Sequence, residues 1–485
     1  MDYLPLIALL VGVITVIGLI IVVRLNAFIA LTIAAMVVAM MATTESLEQY
    51  PKDQASIRGE VWSDSQIDKF VASNAAERVA KGFGGAAGGI AIVIALAAII
   101  GKCLMDSGAA DRIVRSFLKA LGQKGAPVAL LSSGFVLSIP VFFDTVFYLL
   151  VPLARSLWRS TRKDYMLYIL AIGAGAAITH TLVPPTPGPL AMAENLNVDL
   201  GMMIMIGSLV GLATAVAILP VCVLMNRKLD LPMRPYAGEE ETVPLDDVDL
   251  PPLWLSLAPI ALPVLLISAH TITKQVAKQL GEGDTIASVM KVTGLFGNPN
   301  MALLLSAAVA MWILVSYRKL TFTELGKTTE TALMSGGVII LITAAGGAFG
   351  TALQQAGVKQ AILDFVGSDV QSMGLMMLTL GFGVASIMKT AQGSSTVAMI
   401  VTSSMIAAMG VSSETLGCHP VYLCTAIGAG SLVGSWMNDS GFWIFSRMSG
   451  LTEVETLKAW TTILIIIGFF SFGFSLLFAK ILPFV

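Results

Sequence analysis

Charge is what this chain of 485 residues lacks: 12% of it is Asp, Glu, Lys or Arg, where an ordinary soluble domain carries roughly 25%. Neither sign is in excess, with 29 Lys+Arg against 31 Asp+Glu. There is thus no basic surface to grip phosphates, which excludes nucleic-acid binding as a class. Cysteine is scarce too. Cys103, Cys222, Cys418 and Cys424 show no metal-like spacing, and they read as small buried hydrophobes rather than ligands or a disulfide framework. No metal and no cofactor is expected. The first 23 residues are apolar but lack a basic n-region and a small-residue cleavage site, so they read as a retained span rather than a removed signal peptide.

What the chain has instead is apolar length. Hydrophobic residues make up 56%, and crossing a bilayer takes about 20 consecutive ones in a helix. Candidate spans are 4–23, 25–43, 84–105, 165–195, 200–226, 253–272, 299–317, 331–349, 419–446 and 459–483. Two further apolar blocks, 126–153 and 371–411, carry polar or helix-breaking residues near their middles. The expected fold class is therefore all-α and polytopic. The 45 glycines suit close helix packing and broken helices.

The few charges give orientation, because Lys and Arg concentrate on the cytoplasmic side. Arg24, the cluster Arg112, Arg115, Lys119 and Lys124, the cluster Arg155, Arg159, Arg162 and Lys163, and the pairs Arg227–Lys228 and Arg318–Lys319 all fall between apolar segments. Placing them inside puts both termini outside. Block 126–153 then has basic flanks on both sides, so it must enter and return as a re-entrant hairpin; by the same count 371–411 returns to the outer side. Segment 44–80 lies outside. Residues 227–251, with Glu239, Glu240, Glu241, Asp246, Asp247 and Asp249, form a solvated cytoplasmic linker.

The halves 1–226 and 252–485 resemble each other. Gly101-Lys-Cys-Leu-Met-Asp-Ser-Gly108, continuing to Ile113, has the pattern of Gly350-Thr-Ala-Leu-Gln-Gln-Ala-Gly357, continuing to Ile362, at an offset of 249. Each half has five crossings plus one hairpin. Five is odd, so the second repeat is inverted, the organisation of secondary transporters with discontinuous helices and a mid-membrane site.

Four polar stretches interrupt the apolar pattern: Ile139–Thr145, Thr179–Pro189, Lys389–Thr396 and Ser435–Gly441. Prolines at 184, 185, 187 and 189 remove backbone donors and stop a helix. Unwound backbone at membrane depth needs partners, which a ligand and water can supply, and helix N-termini at a break favour an anion. One site is expected where two hairpin tips meet two broken helices. Lys389 would neutralise a carboxylate. Thr145, Thr181, Thr186, Gly188, Gln392, Gly393, Ser394, Ser395, Thr396, Asn438 and Ser440 would meet hydroxyls or offer backbone. Asp144, His180 and Asp439 are the candidates for carrying a coupled proton, since ionisable groups inside a membrane are costly and functional by default and an imidazole changes charge near neutral pH. An intramembrane hydrolase built on Ser394 or Ser395 with His180 and Asp144 lacks the Gly-x-Ser-x-Gly elbow, so no enzyme is expected. A passive channel would need a continuous polar pore rather than breaks clustered at mid-depth.

These residues resemble those of the gluconate permease family, within the ion transporter superfamily. The resemblance covers essentially the whole chain. It rests on Pro140-Val-Phe-Phe-Asp144, on Thr179-His180 followed by Pro-Pro-x-Pro-Gly-Pro (184–189), on Thr390-Ala-Gln-Gly-Ser394 with Thr396-Val-Ala398, and on Asn438-Asp-Ser-Gly-Phe-Trp443. It implies proton symport of gluconate, related sugar acids or D-serine across a bacterial inner membrane, by an elevator motion of a transport domain, usually in a homodimer. Members often carry His where this chain has Thr186 and Trp436, Arg where it has Lys389, and Gly near Val146. Substrate identity and the choice of proton or sodium therefore stay open at this point.

Overall fold

A computed structural model of the chain describes residues 4–58, 62–229, 231, 233, 234, 250–280, 284–358, 360, 361 and 370–484. The acidic run Glu239–Asp249 and Ile362 of the second repeat motif lie outside these. Every regular element among the described residues is helical.

In the first half, α1 (Leu4–Ile17) and α2 (Ala27–Met41) are followed by α3 (Thr44–Arg58) and α4 (Asp64–Val71). Next come the long α5 (Ala75–Asp106), α6 (Ala109–Leu121), the pair α7 (Ala126–Leu137) and α8 (Phe143–Thr161), the pair α9 (Tyr165–Leu182) and α10 (Pro187–Asn195), and α11 (Leu200–Leu229). In the second half, α12 (Leu253–Leu280), α13 (Asp284–Phe296) and α14 (Pro299–Arg318) lead to the long α15 (Phe322–Gln355). After it come the pair α16 (Val370–Gln392) and α17 (Ser395–Ala407), the short α18 (Ser413–Leu416), the pair α19 (Val421–Gly430) and α20 (Ser440–Ser449), the short α21 (Glu453–Thr456), and α22 (Thr462–Ile481).

Eight of the described helices are long and apolar enough to cross a membrane, nine if the bent pair α2–α3 counts as one. The sequence led to ten spans outside the two broken blocks; one of the eight, Gly374–Gln392, falls instead inside block 371–411, and the other differences have local causes. Helix α1 is short and widens into a π turn at Gly18–Val22. Segment 419–446 is two ten-residue helices, α19 and α20, separated by nine residues without regular helix. Within segment 44–80 the described residues form α3, α4 and the start of α5, and α3 turns away from α2 by 106°. Both repeat motifs end a long helix on a left-handed glycine, Gly108 at φ 82° and Gly357 at φ 79°.

Arginines from three of the basic clusters bond to backbone of distant segments. Arg112 donates to Pro251 O at 2.8 Å, Arg318 to Asp106 O at 2.8 Å and Arg155 to Arg234 O at 2.8 Å. Arg234 pairs with Glu455 through two bonds of 2.6 and 2.8 Å. Thr271 donates to Asp199 at 2.5 Å and the His419 amide to Pro483 O at 2.8 Å.

The segment Tyr165–Asn195 occupies the centre. Its apolar window is 94% buried, against 33–50% for the other candidate spans, so α9 and α10 face protein rather than lipid. Helix α9 packs on α7, α8 and α11, α10 on α17, and α15 lies along α2 and α5. The α7–α9 contact is backbone to backbone: a Cβ on Gly175 would sit 2.1 Å from Leu131 O. Such overpacking costs about 1–3 kcal/mol. Gly175→Ala is thus expected to lower the unfolding midpoint in detergent. Gly473→Ala on α22, where a Cβ meets nothing within 4 Å, should leave stability unchanged or raise it by up to about 1 kcal/mol through helix propensity.

Candidate functional site

Three helices begin at one place. The first turns of α8 (Phe143, Asp144, Thr145), α17 (Ser395, Thr396, Val397) and α20 (Ser440, Gly441) line a cavity of about 390 Å³. The last turn of α9 adds His180 and Thr181, and α15 closes one wall with Ser335, Ile339 and Ile342. Local chemistry sets each start. Ser394 caps α17 by accepting from the Val397 amide at 3.3 Å. Asp439 caps α20 by accepting from the Gly441 amide at 3.0 Å. The turn between α16 and α17 passes through Gly393 at φ +84°, where a Cβ would lie 2.2 Å from Asn438 O; a side chain there is excluded by both conformation and space.

A buried ion pair ties the two broken segments of the second half together. Lys389 is 2% exposed and Asp439 7%. The Lys389 ammonium lies 2.6 Å from Asp439 Oδ2 and donates to Gly393 O at 2.6 Å, and Ser435 Oγ donates to the same carboxylate at 2.5 Å. Lys389 therefore turns inward rather than out to water. Around it, Thr390 O accepts from Trp436 Nε1 at 2.7 Å and from Asn438 Nδ2 at 2.9 Å.

Asp144 and His180 are differently placed. Each lies close enough to Lys389 and Asp439 to feel their charge. Among the described residues Asp144 makes no hydrogen bond, and buried Nδ1 of His180 has no partner. Phe142 stands edge-on to the imidazole, with ring centroids 6.4 Å apart. Below them Phe143, Phe147, Phe445 and Trp460 stack at 4.6–5.6 Å.

Of the residues singled out in the sequence, Asp144, Thr145, His180, Thr181, Lys389, Ser394, Ser395, Thr396, Asp439 and Ser440 all line this cavity. Five sit behind its wall. Thr186 donates to Val183 O at 2.6 Å, Gly188 packs on Met399, Gln392 has a buried Nε2 without a partner, and Gly393 and Asn438 hold the ion-pair turn. The sequence did not single out Phe142, Phe143, Ser335, Ile339, Ile342, Trp460 or Leu464. The Phe142–Phe143 doublet precedes Asp144 in a run already marked as broken, which was a usable signal. Trp460 sits in a π turn (Leu457–Thr461), a feature frequent at functional sites but silent in the sequence.

The model for the family described as GntP family permease matches residues 69–481. The gluconate permease of Zymomonas mobilis is 35% identical over 383 residues, covering 78% of this chain and 82% of that protein. The low-affinity gluconate transporter of Escherichia coli is 31% identical over 414 residues, 84% and 88% of the two chains. The crystal structure of the Alcanivorax borkumensis YdaH transporter superposes with a TM-score of 0.60 over 83% of this chain and 88% of that one, at 15% identity, a likeness of fold.

Removing one partner of a buried ion pair strands the other, at a cost of about 3–5 kcal/mol. Lys389→Ala is expected to destabilise the protein by that order in denaturant titrations in detergent. The double substitution Lys389→Met, Asp439→Leu should recover most of the loss, because it leaves no lone charge.

Proposed function

This chain belongs to the GntP family of permeases, and on that premise we propose that it imports a small hydroxylated carboxylate, with gluconate or a related sugar acid first, across the bacterial inner membrane. The observation that carries this is the convergence of three helix N-termini on one cavity. Each brings unsatisfied amides and the positive end of a helix dipole, and together they form a site for an anion. Lys389 adds positive charge at the wall, although Asp439 balances it. Ser394, Ser395, Thr396, Ser440 and Thr181 supply hydroxyls for a polyol chain. The flat apolar faces of Phe143 and Trp460 meet its C–H side.

Proton coupling falls to Asp144 and His180, because three donors already engage Asp439. A substrate carboxylate and a charged Asp144 repel, so occupancy by substrate and by a proton favour each other, and linkage makes that preference reciprocal. The matching order of helices in the two halves supports an inverted repeat in which α7–α8 and α16–α17 are re-entrant hairpins. The basic clusters between apolar segments support placing those connections in the cytoplasm. In this reading the two hairpins and the two broken helices move as one body past α5 and α15, the elevator motion, within a homodimer.

Proteoliposomes test this. Wild-type protein should show gluconate counterflow without any ion gradient, and accumulation when the outside is acid. Asp144→Asn is expected to keep counterflow while losing acid-driven accumulation, and His180→Ala to alter the pH profile. Absence of counterflow for every sugar acid, hydroxy acid or amino acid would overturn the transporter reading. Unchanged pH dependence in both variants would remove Asp144 and His180 from coupling.

A further inference from the structure

A second cavity, of about 510 Å³, lies at the other end of the same helices. Its cations outnumber its carboxylates: Lys69, Arg78 and Lys81 line it against Glu194 alone. Arg78 is 6% exposed. Its guanidinium donates to Ser73 O and to Ala39 O, yet its buried Nε has no partner and no carboxylate neutralises it among the described residues. A buried cation without a counterion is costly, and an anion in the adjoining cavity would offset that cost. Lys69 and Lys81 are exposed and have no ion-pair partner among the described residues.

The rest of the lining suits a polyhydroxylated chain. Trp62 stands edge-on to Phe70 at 5.4 Å, and Tyr50 stacks on Phe70 at 5.6 Å. This makes a stiff apolar wall for a C–H face. Opposite it the buried Gln355, 3% exposed, brings an amide that can both donate and accept. Tyr50 and Trp62 come from α3 and the residue pair before α4, ahead of position 69 where the family match begins, and Phe70 lies just inside it.

Position connects the two cavities. Helix α15 lines the central one through Ser335, Ile339 and Ile342 and the second one through Gly350 and Gln355. Helix α17 does the same with Ser395–Val397 and then Ser404. Between them Ile400 presses on Gly346, where a Cβ would lie 2.2 Å from Ile400 Cγ2. The cavities are successive stations on one seam, with a tight contact separating them.

We propose that the second cavity is a loading site for a hydroxylated carboxylate at the outer mouth of this seam, walled by Tyr50, Trp62, Lys69, Arg78 and Lys81. It deepens the transport reading and rests on it for direction and substrate class. The test uses the full-length protein in detergent, with gluconate as probe and tryptophan fluorescence as readout. Gluconate should change the emission of wild type, and the part lost in Trp62→Phe reports this site. Lys69→Gln with Lys81→Gln, both at exposed positions, should weaken that part by about tenfold, the size of one lost charge-assisted contact. Mannitol, uncharged, should not compete. In uptake assays the double variant should raise KM several-fold with maximal rate unchanged. A Trp62 signal absent from wild type, or unaltered by the lysine substitutions, overturns the loading site even if gluconate is transported. A lysine-dependent Trp62 signal in a protein that shows no counterflow keeps the site and instead sinks the transport reading.

Discussion

Backbone that leaves a helix inside a folded bundle has to find partners in the protein. Residues 431–439 leave the helix between α19 and α20, and neighbouring segments answer them. Their answer is the tip of the α16–α17 pair. Thr390 O takes the donors of Trp436 and Asn438, Gly393 presses against Asn438, and the Lys389 ammonium bridges Gly393 O and the Asp439 carboxylate. Neither the tip nor the break is satisfied alone. Each caps the other, so the two segments behave as one unit although 50 residues separate Lys389 from Asp439.

That mutual capping sets the electrostatics of the cavity beside it. The Lys389–Asp439 pair sums to zero charge, so in the proposed reading the attraction for an anion comes from what remains: the three helix starts at Phe143, Ser395 and Ser440. Fixed backbone dipoles need no reorganisation when a ligand arrives, and in a low-dielectric setting they act with less screening than in water. Asp144, with no hydrogen bond among the described residues, is the charge in the cavity that is not already committed. A proton-coupled cycle needs such a group, because a carboxylate locked in a structural pair cannot change its charge without disturbing the fold.

Much of this was legible in the sequence. Prolines at 184–189, the Gly393-Ser394-Ser395 turn and Asp439 before a glycine are local signals, and local signals mark where helices stop and start. Ten of the fifteen residues singled out from them line the cavity. What could not be read is whatever depends on two distant segments touching. Helix α15 is a long apolar span with nothing in its sequence to say that Ser335 and Ile339 wall a site. The inward turn of Lys389 depends on Asp439, and the floor of the cavity depends on Trp460 occupying a π turn. For segment 44–80, polarity argues against a span but does not say which of its residues form helices.

The seam between α15 and α17 bears on how such a site is reached. Its contacts press on glycine: Gly346 meets the Ile400 side chain and Gly350 meets Ser404, while Gly347 on the same helix meets Ala86 of α5. A gate made of long side chains can open by rotamer changes. This one cannot, because a glycine has nothing to swing and Ile400, branched at Cβ, has few rotamers to choose from. Separating the central cavity from the one beyond it is therefore a matter of where α17 stands along α15. A passage between the two requires the helices to shift, and small residues along the contact leave a smooth surface for that shift. Close packing of this kind has few intermediate arrangements. Movement of α17 would carry the α16 tip, the Lys389–Asp439 pair and the start of α20 with it, since the turn joins α16 to α17 and the ion pair joins that turn to α20.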